Sequence, residues 1–191
     1  MKNIFKLMGI ALLGCSMLVA CGNDEEETKI PDGATVKFDG QTYDENAFAT
    51  KSYSYFANYG AISAALHAGT AMQNIEDFCP GFEMGVASTE TGTLTGECNA
   101  EGKFPESKIA YCEFYKNTVL KSNDAYYGDF WAKTVNMELK AIDLTALTYT
   151  ATLNGTMFDA KAAFVDQAGV AAASTAAFEA TFGNVTMTAA K

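Results

Sequence analysis

The chain has 191 residues and a formal net charge of -10, which allows one domain with a sizeable core. A nucleic-acid binder needs clustered cations, so this charge argues against a nucleic-acid partner. The sequence contains no arginine, which removes the usual bidentate clamp for phosphates and carboxylates and disfavours anionic small ligands.

The first 20 residues have the pattern of a secretory signal. Lys2 and Lys6 provide a basic start, and an apolar run extends from Leu7 to Ala20. A basic start followed by a short apolar run is typical of a signal peptide. The alternative is an N-terminal anchor helix, but the run is shorter than the roughly 20 residues that a spanning helix needs.

The segment Leu18–Cys21 resembles the lipobox of bacterial lipoproteins, and the acidic run Asp24–Glu27 resembles the surface-export signal of Bacteroidota lipoproteins. The resemblance implies cleavage before Cys21, acylation of Cys21 and an outer membrane lipoprotein exposed at the cell surface. The alternative is that the acidic run is a plain solvated tether and the protein faces the periplasm. The expected division is residues 1–20 signal peptide, 21–33 lipidated cysteine and tether, and 34–191 a single β-rich domain.

Several segments of the mature chain alternate apolar and polar residues, as half-buried strands do. Examples are 135–141, 147–153 and 178–182. Asp39-Gly40 and Gly183-Asn184 separate such runs and are typical of hairpin turns. The pattern predicts an all-β fold, an antiparallel β-sandwich or lipocalin-like barrel with a short helical or irregular insertion.

Two segments do not follow this pattern. Residues 58–74 fit either a strand or a short helix, because their apolar residues match both periods. Residues 160–177 are rich in alanine, which favours helix, but Gly169 interrupts them. This second segment is predicted to be a loop with about one helical turn.

The Asp39-Gly40 hairpin, together with β-hairpins near the end of the chain, is similar to a loose group of Bacteroidota surface lipoproteins. Many members have no known activity. Others belong to glycan-uptake systems, fimbria-like adhesins or lipocalin-like binders. The resemblance therefore implies a β-rich surface protein without fixing what it binds.

Three cysteines remain once Cys15 leaves with the signal and Cys21 is acylated: Cys79, Cys98 and Cys112. Residues 93–98 and 108–114 are predicted to pair across a loop, which favours a Cys98–Cys112 disulfide in an exported protein. The alternative is three buried free thiols, because cysteine is a good small core residue.

The most specific candidate site is the stretch 123–131, predicted to be a loop that combines acids with four aromatic residues. Sugars present flat apolar faces and hydroxyls, which suit aromatic rings with nearby acceptors. The candidate ligand-binding residues are Asp124, Tyr126, Tyr127, Asp129 and Trp131. The alternative is that Trp131 and one tyrosine fill the core.

Catalytic motifs are missing from the sequence. His67 is the only histidine, no Gly-x-Ser-x-Gly elbow occurs, and no metal site or cofactor is expected. The leading hypothesis is a non-enzymatic surface module that binds a glycan, held to the membrane through its lipid anchor only. The alternatives are a structural or adhesive envelope component that contacts another surface protein, and a hydrolase that uses carboxylates.

Overall fold

The computed structural model describes residues 30–70, 74–122 and 125–190. Strands dominate this part of the chain, so the predicted all-β class is confirmed. The strands are β1 Gly33–Phe38, β2 Gln41–Tyr43, β3 Thr50–Phe56, β4 Ala61–His67, β5 Gly81–Val86, β6 Gly92–Glu97, β7 Ile109–Ser122, β8 Ala125–Asp143, β9 Thr148–Asp159, β10 Thr175–Thr186 and β11 Thr188–Ala190.

All described strands belong to one mixed sheet. The order is β11-β3-β4-β5-β7-β8-β9-β10-β1-β2, and β6 joins β8 outside this path. Neighbours pair antiparallel except β11 and β3, which are parallel. The order ends at β2 and β11, so the sheet is not the closed barrel that was one of the two predicted architectures.

The sheet curls so that one face encloses the main core, and this face is called the inner face. Rings from strands that are distant in the sheet order meet there. The ring centroids of Tyr53 in β3 and Phe182 in β10 are 6.1 Å apart. The ring of Phe38 in β1 stacks on that of Phe114 in β7, with 4.3 Å between their centroids. The predicted alternation is confirmed, because Val135, Met137 and Leu139 are all buried in this core. Each such side chain contributes roughly 1.5–3 kcal/mol by leaving water.

The 19-residue strand β8 hydrogen-bonds to two different strands along the same edge. Residues 125–131 pair with β7, and residues 134–139 pair with β6. The predicted pairing of β6 with β7 is therefore wrong, since both strands hydrogen-bond to β8 instead. Cys79, Cys98 and Cys112 are all free thiols in the structure, which therefore does not contain the predicted Cys98–Cys112 disulfide.

The two predicted turns have different outcomes. Asp39 and Gly40, both with positive φ, connect β1 to β2, with Phe38 opposite Gln41. Gly183-Asn184 does not turn the chain, because β10 continues through it with an irregularity in its pairing to β9. The Asn184 N–H donates to Thr150 Oγ1 at 3.0 Å, so the residues that suggested a turn form a bulge.

The two segments that did not follow the strand pattern, 58–74 and 160–177, contain both strand and short helical structure. Within 58–74, residues 61–67 form β4, and a short helix α1, Ile75–Phe78, follows. Within 160–177, a π-helical turn spans Lys161–Val165 before β10 begins at Thr175, which confirms the predicted insertion. Within the described ranges, no helix has the length and apolar character to cross a membrane.

Candidate functional site

A row of side chains crosses three adjacent strands on the face opposite the main core, called the outer face. Glu83 of β5 pairs with Glu113 of β7, and Glu113 pairs with Trp131 of β8. Residues directly opposite each other in a sheet point to the same side. The three side chains therefore share the outer face, while their neighbours Met84 and Phe114 enter the core.

A pocket of about 340 Å³ lies over this row, and it is called the outer-face pocket. Its volume is within the usual range for small-ligand sites. Two carboxylates and five rings line it, together with small residues and Cys112. The acids are Glu83 and Glu113, and the rings belong to Phe104, Tyr111, Tyr126, Tyr127 and Trp131.

Two glycines let the rings lie close to the backbone around the pocket. The Tyr111 ring occupies the space that a Cβ at Gly85 would need, and Gly102 abuts the six-membered part of the Trp131 ring. Gly102 has a φ of +72°, a conformation that glycine adopts without steric cost. These glycines therefore allow the flat faces of Tyr111 and Trp131 to be packed into the wall.

The floor of the pocket is a hydrogen-bonded polar network. Glu113 accepts from the Gly128 N–H at 2.7 Å and from the Tyr115 hydroxyl at 3.3 Å. His67 Nε2 lies 2.7 Å from Glu83 Oε1, so the tautomer protonated at Nε2 donates to that carboxylate. The Tyr115 hydroxyl also interacts with Glu83, so one phenol joins the two acids.

Burial sets the protonation behaviour of this network. The pKa of Glu113 is raised to about 7: loss of water contact and the negative charge of Glu83 raise it, while hydrogen bonds from Gly128 and Tyr115 partly oppose the shift. Burial raises the pKa of Tyr115 as well, so this hydroxyl keeps its proton. The charge of the pocket floor therefore changes near neutral pH.

Helix α1 covers the end of the network away from the pocket. The ring of its last residue, Phe78, packs against three other rings. Its centroid lies 5.3 Å from that of His67, 5.7 Å from that of Tyr115 and 5.2 Å from that of Tyr126. His67 is 1% exposed, so it cannot act on a ligand directly. It positions the Glu83 carboxylate from behind the pocket wall.

The structure places the sequence-predicted site residues differently from one another. Tyr126, Tyr127 and Trp131 line the outer-face pocket, but they belong to strand β8 and not to the predicted loop. Asp129 does not line this pocket, because its carboxylate accepts from the backbone N–H groups of Lys116 at 2.7 Å and Asn117 at 3.2 Å. Asp124 and Cys21 lie outside the described residues.

Asp129 of β8 stabilises the backbone of the neighbouring strand β7. The pairing of β7 with β8 is interrupted between Phe114 and Val119, which leaves backbone N–H groups without strand partners. The Asp129 side chain, 5% exposed, satisfies two of them. An unsatisfied buried donor costs about 1–3 kcal/mol, and this explains an acid at a buried position.

Trp131 combines the two roles that the sequence left open. It is partly buried against the small cluster around Phe158, and its Nε1–H donates to the Gly128 carbonyl at 2.8 Å. It also lines the outer-face pocket and a second, neighbouring pocket with Phe164, whose ring lies 5.1 Å away. The ring is therefore held rigidly with part of its surface accessible.

Sequence reasoning missed Glu83, Glu113 and Tyr111 as site residues. The available signal was an acid inside an otherwise apolar and aromatic run, Tyr111–Tyr115. Period 2 places Tyr111, Glu113 and Tyr115 together on the face opposite Cys112 and Phe114. The pairing of β5 with β7, which brings Glu83 beside Glu113, depends on long-range register and carries no local signal.

No family model, curated protein or solved structure shows a significant match to the chain. In the part of the chain that the structure describes, no group of three or more His, Cys, Asp or Glu side chains is arranged to hold a metal ion.

Proposed function

We propose that this protein is a non-enzymatic cell-surface lipoprotein that binds a small saccharide in the outer-face pocket. The observation that carries the proposal is the row Glu83–Glu113–Trp131 beneath a pocket lined by four further rings. The lipobox-like segment ending at Cys21 supports the lipid anchor, and the acidic run Asp24–Glu27 supports the surface location. The pocket supports the binding role.

The pocket has the two chemical features that sugars require. A pyranose ring has an apolar face that can stack on aromatic rings, and Tyr127 and Trp131 lie 5.7 Å apart at its wall. Sugar hydroxyls need acceptors held in place. Glu113, fixed by Gly128 and Tyr115, and Glu83, fixed by His67, supply such acceptors.

The carboxylate pair supports binding better than glycoside hydrolysis. A glycosidase places its two carboxyl groups on opposite sides of the scissile bond. Glu83 and Glu113 are cross-strand neighbours on one sheet face, and the Tyr115 hydroxyl that donates to Glu113 lies on the same face. Both therefore approach a ligand from the same wall, which suits hydrogen bonding to one side of a sugar.

Titration of the purified protein with a panel of mono- and oligosaccharides tests the binding proposal. Trp131 is the only tryptophan of the chain, so its emission reports directly on the pocket. We expect a binding sugar to shift that emission, and Tyr127→Ala to weaken the affinity at least tenfold. Tyr59→Ala is the matched control, because Tyr59 is 78% exposed and does not line the pocket. No emission change and no calorimetric heat with any sugar would contradict the proposal.

Replacement of Cys21 tests the anchor separately. We expect labelled fatty acid to be incorporated into the wild type and not into Cys21→Ala, because the lipobox cysteine is the acylated residue in the lipoproteins that this segment resembles. Cys79→Ala controls for acylation at another thiol. Equal labelling of Cys21→Ala and the wild type would contradict the lipoprotein assignment.

A further inference from the structure

The charged residues among the described lining of the outer-face pocket are both acids, Glu83 and Glu113. Neither lysine nor arginine is found among those described lining residues. Lys121 is close by, with its Nζ 5.4 Å from the centroid of the Tyr126 ring, but it lines the neighbouring pocket. Within the described lining, a ligand in the outer-face pocket therefore meets two carboxylates and no competing lysine or arginine.

The two acids differ in their partners. Glu83 is paired with His67 behind the wall. Glu113 has only neutral donors among the contacts of the described residues, the Gly128 N–H and the Tyr115 hydroxyl. Glu113 is also the central member of the row, between Glu83 and Trp131. Among the described residues, the Glu113 carboxylate therefore has neither a lysine nor a histidine partner.

The rings around Glu113 add a second attraction for positive charge. The faces of tryptophan and tyrosine rings bind ammonium groups through cation–π interactions, and the effect increases where water is excluded. Tyr111, Tyr126, Tyr127 and Trp131 all line the same pocket as Glu113. A carboxylate surrounded by such rings suits an ammonium group better than a neutral hydroxyl.

We infer that the ligand of the outer-face pocket is an amino-bearing saccharide whose ammonium group binds between Glu113 and the surrounding rings. This inference rests on the proposed saccharide-binding function and names the class of sugar. The sugar ring stacks on the aromatic wall, and the ammonium donates to the Glu113 carboxylate.

The groups facing Glu113 determine how binding depends on pH. Glu83 faces it from β5 with His67 behind, Tyr111 and Tyr115 lie on β7, and β8 contributes uncharged rings. Burial raises the pKa of Glu113 to about 7, so the carboxylate is mostly protonated at pH 6 and mostly ionised at pH 8. Affinity for an alkylammonium sugar should therefore fall about tenfold from pH 8 to pH 6.

Matched pairs of charged and capped sugars test the inference by calorimetry at pH 8. The probes are methyl 6-amino-6-deoxyglucoside and methyl 6-amino-6-deoxygalactoside, whose alkylamines are mostly protonated at pH 8. Each is compared with its N-acetyl derivative, which removes the charge and keeps the ring. We expect the charged form of at least one pair to bind tenfold or more tightly than its capped form. Equal or tighter binding of both capped sugars would overturn the inference.

The Glu113→Gln variant identifies the residue responsible. It should abolish the pH dependence and the preference for the charged sugar, so that the charged and capped forms of a pair bind with affinities within threefold of each other. Glu179→Gln is the control, since Glu179 is exposed on β10 and pairs with Lys37. A charged-sugar preference that persists in Glu113→Gln would place the ammonium elsewhere and overturn the inference.

The experiment separates failure of the inference from failure of the proposed function. Binding of capped sugars, with a shift in Trp131 emission and no preference for charge, would sustain the saccharide site and reject the ammonium. Absence of any response to all four sugars, and to the wider panel, would reject both. Binding of methylamine as tightly as the amino sugars would reject the role of the sugar ring.

Discussion

The two faces of strand β7 differ in what they contribute. On the inner face, Cys112 and Phe114 are buried in the main core, with Phe114 stacked on Phe38. On the outer face, Glu113 and Tyr115 are buried to a similar extent but hydrogen-bond to each other beneath an open pocket. Burial of apolar side chains on the inner face therefore favours folding, whereas burial of the Glu113 carboxylate on the outer face costs stability when the group is ionised.

The largest expected effect is on the inner face. Phe114→Ala removes a fully buried ring and leaves a cavity in the core, so we expect the free energy of unfolding to fall by roughly 3–5 kcal/mol. Urea unfolding followed by circular dichroism measures this change. A loss below about 1 kcal/mol would mean that the inner face does not supply the core described above.

On the outer face, replacing the buried acid Glu113 should increase stability, whereas replacing Phe114 on the inner face should decrease it. The pKa of Glu113 is raised from 4.5 to about 7, so the folded protein holds a proton that the unfolded chain releases between those values. Stability from this group is therefore lost as pH rises through that window. Glu113→Gln should raise the free energy of unfolding by roughly 3 kcal/mol at pH 8 and much less at pH 5.

Urea unfolding of the wild type and Glu113→Gln at pH 5 and pH 8 checks this prediction. The exposed Glu179→Gln should change the free energy of unfolding by less than about 1 kcal/mol at either pH. A Glu113→Gln variant that is less stable than the wild type at pH 8 would show that the carboxylate stabilises the fold, contrary to the comparison.

Trp131 should show an intermediate effect on stability and a large one on binding. The ring is partly buried beside Phe158 and Phe164, so Trp131→Ala should cost about 2 kcal/mol, less than a full core aromatic. Binding of the sugar should be lost. Calorimetry measures both quantities, and a variant that binds normally would remove Trp131 from the site.

The smallest effect concerns polar atoms within the inner face. The hydroxyl of Tyr149 is buried and has no hydrogen-bond partner in the described part of the chain. Tyr149→Phe should therefore leave stability unchanged or raise it by up to about 1 kcal/mol, because no hydrogen bond is broken. Thermal unfolding measures this. A clear loss of stability would mean that the hydroxyl is satisfied in solution.

The sequence predicted the inner face well because alternation is a local signal. Val135, Met137 and Leu139 were assigned to one strand face and are buried there. Local turn signals were less reliable. Asp39-Gly40 forms its hairpin, whereas Gly183-Asn184 forms a bulge, because β9 is long enough to pair with residues on both sides of it.

The outer face was predicted only in part. Tyr126, Tyr127 and Trp131 were identified because they lie together in the sequence, and they line the pocket. Glu83 and Glu113 are 30 positions apart by their numbers and meet only through the pairing of β5 with β7. Asp129 was assigned to the ligand on composition alone, although its carboxylate is used by the backbone of β7.

The central claim is that the outer-face pocket binds a ligand, and chemical-shift mapping by nuclear magnetic resonance tests it most directly. Backbone amide shifts would be recorded while methyl 6-amino-6-deoxyglucoside is added at pH 8. We expect saturable shifts concentrated at Glu83, Glu113, Gly128 and Trp131, with inner-face amides unaffected. Saturable shifts confined to another surface, or none at all, would contradict it.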